Sequence, residues 1–439
     1  MAPILRPRTD KIKPSTYSTA VDTEGSSSPT VSDISPTSTA KTTPPVYIID
    51  LSLPPSQRYV EVARAYKDSL SGLQHLFDDI TQLIPVPNWF IHVMACLLLR
   101  RVYSTEQTEE LRGISHATSV PMYLLVAYNV LLDLFMGCTS GGACVQAPDA
   151  TKPRMMHFRT LDWGMPELRN VIVQYNFIER PRGPVIASTV SYVGFVGVLT
   201  GVRKDISVSL NFRPYHNNDT SLWTNAKFRF HQLAVLLGFR PSIASMLRDF
   251  IIPRTLPPYH VYNLQTVIIG LPTRPFYDSG TIFTTFSETL STAAYLVFCT
   301  PQAVRIMEKD LATARVRSSM SFMAVTNHDV AYEKHHNEAA HTAYAMEGIV
   351  GDGMRELVEE SVERKRCLVE KWEERSKSAQ PGQDIGVALE ELKEWMLAFP
   401  TSNEMTHFVC IMDPLEGKIR WVRCFEEGDN GGEEDEDAD

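Results

Sequence analysis

The pattern of hydrophobic and polar positions in the first third of the chain predicts one strand followed by helices. Residues 45–51 are rich in strand-forming side chains, and the apolar positions of residues 60–83 then recur three or four apart, which predicts a helix. Residues 89–99 form an apolar run that is too short to span a bilayer by itself.

Two more helices are predicted before residue 137. Ser104 and Gln107 match a capping box, which places the start of a helix there. Residues 121–136 are the most hydrophobic stretch of the chain, but Asn129 and Asp133 interrupt it. We therefore expect a buried helix rather than a membrane span, and this helix leads directly into the next strand.

After residue 137 the pattern changes to that of strands. Runs of small and β-branched residues at 138–145 and 155–161 flank a turn-forming segment and predict a β-hairpin. Further strands are predicted at 168–177, 185–193, 206–212, 266–270, 293–298 and 319–325, with a closing hairpin of 406–412 and 419–424. Helices are predicted at 228–237, 241–250, 356–377 and 389–397, and another is predicted to begin at 301–307. Two groups of strands with helices before and between them predict an α+β fold, a four-layer αββα sandwich.

The predicted hairpin brings a thiol, a guanidinium and a carboxylate together. Folding its second strand back over the first would bring Arg159 and Asp162 near Cys138, and a neighbouring guanidinium favours a thiolate nucleophile. If the chain were cut before Cys138, the new α-amine, with a pKa near roughly 7.7, could act as the general base, and Asp162 could hold it. The structural alternative is that the cysteine is a small buried hydrophobe and the Arg/Asp pair a surface ion pair.

These residues resemble a known family. The sequence Cys-Thr-Ser at 138–140, followed by a hairpin to Arg-x-x-Asp-Trp at 159–163, is similar to the acid ceramidase and N-acylethanolamine acid amidase group of N-terminal-nucleophile cysteine hydrolases. That group is related to bile-salt hydrolases and penicillin V acylases. The strand, Leu-Pro-Pro and helix of residues 45–83 resemble the opening of the family's α-subunit, and Thr-Asn-His-Asp at 326–329 is close to another of its motifs. The resemblance covers about residues 45–425.

The resemblance implies roles for five residues. Cys138 is the nucleophile, Arg159 steadies the thiolate or the developing oxyanion, and Asp162 accepts hydrogen bonds from the α-amine. Asn327 donates to the oxyanion of the tetrahedral intermediate. Asn211 adds a second donor or fixes the substrate amide.

Two positions have competitors. Cys144 rivals Cys138 because its separation from Arg159 is closer to the family's spacing, whereas the sequence Gly-Cys-Thr-Ser favours Cys138. Arg364 matches the family's downstream arginine, but its context Glu-Arg-Lys-Arg departs from the family's Asp-Arg-Arg. Arg366 is therefore an alternative, and a solvated helix face is the structural explanation for both.

Composition and charge leave the predicted fold unchanged and serve only to exclude some partners and cofactors. The formal net charge is -10, but the tail from residue 426 onward is strongly acidic, so the body is nearly neutral and nucleic acid is not an expected partner. The seven cysteines are scattered without CxxC, and the histidines lack metal-ligand spacing such as HExxH. No metal, cofactor or disulfide framework is expected. Residues 1–13 have no apolar segment behind them, so no signal peptide is visible and a cytoplasmic location is the default expectation.

The sequence therefore predicts a self-processing cysteine amidohydrolase. Its expected segments are a disordered arm (1–44), a helical α-subunit region (45–137), a catalytic β-subunit (138–425) and an acidic disordered tail (426–439). Cleavage before Cys138 by an N-to-S acyl shift is expected to leave the two chains packed together.

The expected reaction is hydrolysis of a fatty N-acyl amide through a thioester. Ceramide is the first substrate expected and N-acylethanolamine the second. The resemblance also implies a peripheral membrane contact through the apolar residues 124–135. The alternatives are an acyltransferase, in which an amine resolves the thioester, and an unprocessed relative that only binds lipid.

Overall fold

The structure is a computed structural model that describes residues 42–82, 86–131, 137–146, 152–214, 216, 222–252, 283, 286–334, 352–378 and 384–426. Most of the predicted N-terminal arm, the acidic tail and the strand predicted at 266–270 lie outside these residues.

The N-terminal region contains one strand and six helices. They are β1 (Val46–Asp50), α1 (Val60–Ala65), α2 (Lys67–Ser71), α3 (Leu73–Gln82), α4 (Asn88–Leu98), α5 (Thr105–Thr118) and α6 (Met122–Leu131). The single helix predicted over residues 60–83 is wrong: the backbone leaves helical geometry at Tyr66, with φ -113° and ψ 21°, and a second break follows at Gly72. The cap prediction is confirmed, because the Ser104 hydroxyl accepts from the backbone N–H of Gln107 at the start of α5.

Within the described residues the strands form two sheets. The eight-stranded sheet has the order β1, β4 (Ile172–Ile178), β5 (Val185–Tyr192), β6 (Thr200–Arg203), β7 (Ile206–Phe212), β8 (Ser291–Cys299), β9 (Val304–Leu311) and β10 (Thr313–Ser319). The five-stranded sheet has the order β11 (Phe322–Val325), β2 (Gly137–Val145), β3 (Arg154–Asp162), β12 (Thr406–Asp413) and β13 (Lys418–Cys424). Only β1 and β4 pair in parallel; the other neighbouring pairs are antiparallel.

Three strands differ from the prediction, and one of them is β6, which the sequence analysis did not predict. The helix expected to begin at 301–307 is the strand β9, because the β-branched Val304 and Ile306 are buried and alternate with the partly exposed Arg305 at the two-residue period of a strand. The prediction also missed β10, which pairs with β9 across a tight turn.

Helices cover the outer faces of both sheets. On one side, α5, α6 and α8 (Ile243–Ile251) share a hydrophobic core with the eight-stranded sheet, and α7 (Leu222–Leu236) contacts β8. On the other side, α10 (Asp352–Lys377) and α11 (Leu389–Leu397) pack on the five-stranded sheet, and the short α9 (Val330–Lys334) follows β11. The predicted α+β class and αββα layering are confirmed.

The first part of the segment predicted to face lipid, residues 124–135, is buried in the structure. Leu124, Leu125 and Val126 of α6 are buried, because Asn129 ties the helix to the core through hydrogen bonds with Gly194 O and Val196 N, each 2.8 Å long. Residues 132–136 lie outside the described part of the chain. None of the described helices is long and apolar enough to cross a membrane.

Candidate active site

Cys138 lies at the second position of β2, an inner strand of the five-stranded sheet. The β2–β3 register places Cys138 opposite Leu161 and Gly137 opposite Asp162, as the predicted hairpin requires. Because successive strand residues point to opposite faces, Cys138 faces the eight-stranded sheet while Gly137 faces the helical layer. The peptide bond between Gly137 and Cys138 therefore lies between two groups of side chains, one on each face of the sheet.

On the face toward the eight-stranded sheet, a guanidinium lies against the thiol. Arg159 Nη2 is 3.3 Å from Cys138 Sγ, and Arg159 Nη1 donates to the carbonyl oxygens of Leu199 (3.0 Å) and Leu210 (2.7 Å). Both Arg159 and Cys138 have no exposed surface. Burial raises the pKa of the Cys138 thiol, and Arg159 opposes this shift only in part. Burial therefore favours the protonated form of this thiol.

On the opposite face, Asp162 lies beside Gly137 rather than beside the thiol. Its Oδ1 accepts from the Thr406 hydroxyl at 2.8 Å, and its Oδ2 is 3.4 Å from Nη1 of Arg364 on α10. Burial raises the pKa of Asp162, while Arg364 and the hydrogen bond from Thr406 act against that rise. The ionised form of this buried carboxyl group is thus disfavoured by burial and favoured mainly by these two neighbours.

Asn327 contacts the peptide bond between Gly137 and Cys138 directly. The Cys138 N–H donates to Asn327 Oδ1 at 2.8 Å, and Arg364 Nη2 donates to the same oxygen at 3.1 Å. Asn327 Nδ2 donates to the carbonyl of Phe212 at 2.8 Å. In this state the amide oxygen, rather than the amide nitrogen expected to meet an oxyanion, faces Cys138.

Asn211, at the end of β7, lies on the other side of Cys138. Its Nδ2 donates to Val325 O (3.1 Å) and reaches the Cys138 carbonyl at 3.5 Å, while the Ser140 hydroxyl donates to its Oδ1 at 2.6 Å. Asn211 thereby fixes the backbone of the candidate nucleophile. The structure brings together all six residues that the sequence singled out, and their chemical roles stay predictions.

The geometry separates the competing positions. Arg364 is almost fully buried, whereas Arg366 projects into solvent beside Glu363 and Glu370. Cys144 lies six residues along β2, about 20 Å away at strand spacing, with its thiol 3.1 Å from Met320 O. Burial raises the pKa of Cys144 to about 11.

Two residues that contact this site were missed by the sequence analysis. Thr406 is far away in sequence and becomes a neighbour of Asp162 only through the β3–β12 register. Ser140 was visible, because in the motif Cys-Thr-Ser it shares a strand face with Cys138. Among the described residues, no group of three or more His, Cys, Asp or Glu side chains could hold a metal ion, and all seven cysteines are free thiols.

Two face-to-face sheets between helical layers, with a cysteine at the start of an inner strand, form the αββα sandwich that the sequence predicts. A family described as the beta subunit of N-acylethanolamine-hydrolyzing acid amidase matches residues 42–100. All but the first three of those residues lie in the segment predicted as the α-subunit region (45–137).

Curated relatives extend this similarity. An N-acylethanolamine-hydrolyzing acid amidase of Caenorhabditis elegans is 33% identical over 178 residues, which is 38% of this chain and 47% of the relative. The acid ceramidase of Mus musculus is 29% identical over 189 residues, which is 38% of this chain and 45% of the relative. A solved structure, the C. elegans ortholog of N-acylethanolamine-hydrolyzing acid amidase, covers 66% of this chain and 100% of its own at 18% identity and a TM-score of 0.42.

The resemblance to the acid ceramidase and N-acylethanolamine acid amidase family is thus confirmed. The chain matches about half the length of these curated relatives. What they act on therefore enters below as a proposal.

Proposed function

We propose that this protein is a self-processing cysteine amidohydrolase that cleaves the amide bond of a fatty N-acyl lipid, with ceramide as the first substrate and N-acylethanolamine as the second. The observation that carries the proposal is the surroundings of one peptide bond. Cys138 Sγ lies 3.3 Å from Arg159 on one side of it, and Arg364 bridges Asp162 and Asn327 on the other. The names of the similar relatives support an amide-hydrolysing activity.

The first reaction is cleavage of the chain itself. The Cys138 sulfur attacks the carbonyl carbon of Gly137, the C–N bond breaks, and the departing nitrogen takes up the thiol proton to become the new α-amine. Water then hydrolyses the thioester, which leaves a carboxylate on Gly137 and a free thiol on Cys138. Asn327 holds the departing nitrogen, because its Oδ1 already accepts the Cys138 N–H.

The second reaction is turnover of the lipid amide. The freed α-amine takes the thiol proton, the thiolate attacks the acyl carbon, and the amine of the lipid leaves after it is protonated. Arg159 stabilises the thiolate, and the Asp162 carboxylate orients the α-amine. Water resolves the acyl thioester and releases the fatty acid.

We also propose that the protein meets its substrate at a membrane surface through α4 and α7. These helices expose large apolar side chains: Trp89, Phe90, Val93, Leu97 and Leu98 on α4, and Leu222, Trp223, Phe230 and Leu233 on α7. The segments that follow the two helices meet, since Arg101 lies over the Phe239 ring at 5.5 Å. Exposed large apolar side chains in this number are typical of a lipid or protein contact.

The test is mass spectrometry of the purified protein combined with turnover of a panel of ceramides and N-acylethanolamines. We expect a new chain that begins at Cys138 and release of fatty acid by the processed form. Cys138→Ala should abolish both, while Cys144→Ala, a matched thiol on the same strand, should preserve both. Loss of activity in Cys144→Ala alone would move the site, and an uncut wild type that binds but does not hydrolyse lipid would favour the non-enzyme alternative.

A further inference from the structure

The residues on either side of Asn327 both attach to the same helical turn. Thr326 donates through its hydroxyl to the carbonyl oxygen of Ser361 on α10 at 2.8 Å. His328 Nδ1 is 2.6 Å from the Ser361 hydroxyl. All three side chains are buried. The end of β11 is therefore joined to α10 at two points, one before and one after the candidate catalytic asparagine.

A second connection closes this contact into a ring. His328 Nε2 is 3.0 Å from Glu333 Oε1, and Lys365, the residue four positions after Ser361, forms an ion pair with the same oxygen. Although burial opposes it, the hydrogen bond from His328 and the charge of Lys365 hold the pKa of Glu333 down to about 2. We term Thr326, His328, Glu333, Ser361 and Lys365 the α10 ring.

The charge of Glu333 fixes the direction of the hydrogen bonds. An ionised carboxylate only accepts, so His328 donates to it through Nε2–H. Burial lowers the pKa of His328 and so favours the neutral ring, in which Nδ1 is left as an acceptor. The Ser361 hydroxyl must then donate to Nδ1. Because this hydroxyl is buried and committed to His328, we do not assign the Ser361, His328 and Glu333 arrangement a hydrolytic activity of its own.

Arg364 lies within the helical turn that the ring holds. It follows Ser361 by three residues and precedes Lys365, and its guanidinium reaches Asn327 Oδ1 at 3.1 Å and Asp162 Oδ2 at 3.4 Å. We propose that Ser361 and His328 are positioning residues, which hold α10 in the position that places Arg364 between Asp162 and Asn327. This inference rests on the proposed function, in which those groups surround the reacting bond.

The test compares Ser361→Ala with Ser376→Ala. Both serines are on α10, but the Ser376 hydroxyl donates only within the helix, to Trp372 O at 2.7 Å. Since a displacement of about 1 Å in a positioned group can cost up to about 100-fold in rate, we expect Ser361→Ala to lower kcat and the rate of self-cleavage roughly tenfold. KM should stay within about twofold of wild type, and Ser376→Ala should match wild type in all three quantities.

A second measurement separates positioning from a general loss of stability. If Ser361 acts through Arg364, its effect on kcat should disappear in an Arg364→Lys background, whereas independent effects multiply. A Ser361→Ala protein with wild-type kcat and self-cleavage rate, or a full tenfold effect that persists beside Arg364→Lys, would overturn the positioning role alone. A wild type that neither cleaves itself nor hydrolyses any lipid amide would overturn the proposed function as well.

Discussion

Replacing Thr406 by valine should shift the pH dependence of catalysis through Asp162. The Thr406 hydroxyl accepts from the Asn403 backbone N–H at 2.9 Å, so its own proton is available to Asp162 Oδ1, 2.8 Å away. Valine keeps the shape of threonine and removes this donor. Arg364 and Thr406 are the two neighbours that stabilise the ionised Asp162 carboxylate most strongly, and only Arg364 remains in this variant.

The size of the effect follows from the charge on the acceptor. A hydrogen bond to a charged group contributes about 1.5–3 kcal/mol. Because one pKa unit corresponds to about 1.4 kcal/mol, Thr406→Val should raise the pKa of Asp162 by about one to two units above its already raised position. The acid limb of kcat against pH should move upward by the same amount, while kcat well above that limb changes little.

Thr406→Val should also lower the free energy of unfolding at pH values where Asp162 is ionised. Burial raises the pKa of Asp162 above its value in the unfolded chain, so ionising it costs stability as pH rises through the folded-state pKa. Thr406→Val should increase this loss by about 1.5–3 kcal/mol at pH above the folded-state pKa, and urea unfolding at acidic and alkaline pH measures the difference. The control is Thr401→Val, because Thr401 is also buried and its hydroxyl has no partner among the described residues. An acid limb that moves equally in both variants, or in neither, would refute the reasoning.

Two further predictions concern the body of the protein and its surface. Arg248 forms a buried bidentate pair with Glu110, at 2.5 and 2.7 Å, that joins α8 to α5. Arg248→Leu leaves a buried carboxylate without this partner and should lower the free energy of unfolding by about 3–5 kcal/mol in urea titrations. The double variant Glu110→Gln with Arg248→Leu should lose less stability than the sum of the two single variants. The double variant Trp89→Glu with Trp223→Glu should reduce flotation with neutral lipid vesicles by at least severalfold without altering self-cleavage, because both rings are mostly exposed and make the proposed membrane contact. Equal flotation of the variant and wild type would contradict that contact.

Local patterns predicted most of the fold correctly. The hairpin of β2 and β3, the cap at Ser104 and the helix α11 depend on neighbouring residues, and each was found in the structure. The segment at 301–307 failed because Pro301 resembles the first residue of a helix, whereas the buried strand positions of Val304 and Ile306 are decided by β8 and β10 on either side.

Some contacts of the candidate site could likewise be predicted from local sequence, and others could not. Cys138 and Arg159 are close because of a local hairpin, so their contact could be predicted from the turn and strand pattern. Arg364 could not be distinguished from Arg366 by sequence, because a helix turn of mixed charges reveals its buried face only when it packs on a sheet. The position of Asp162 on the opposite face from the thiol follows from strand alternation combined with the register of Gly137, which only the paired sheet defines.

The central claim is that the bond between Gly137 and Cys138 is cut by the thiol of Cys138. The most direct measurement is intact-mass and N-terminal analysis of wild type and Cys138→Ala after the same incubation at several pH values. The account predicts two chains in wild type, the second beginning at Cys138, and one uncut chain in Cys138→Ala. A wild-type chain that remains whole at every pH, or a cut at this bond that persists without the thiol, would contradict it.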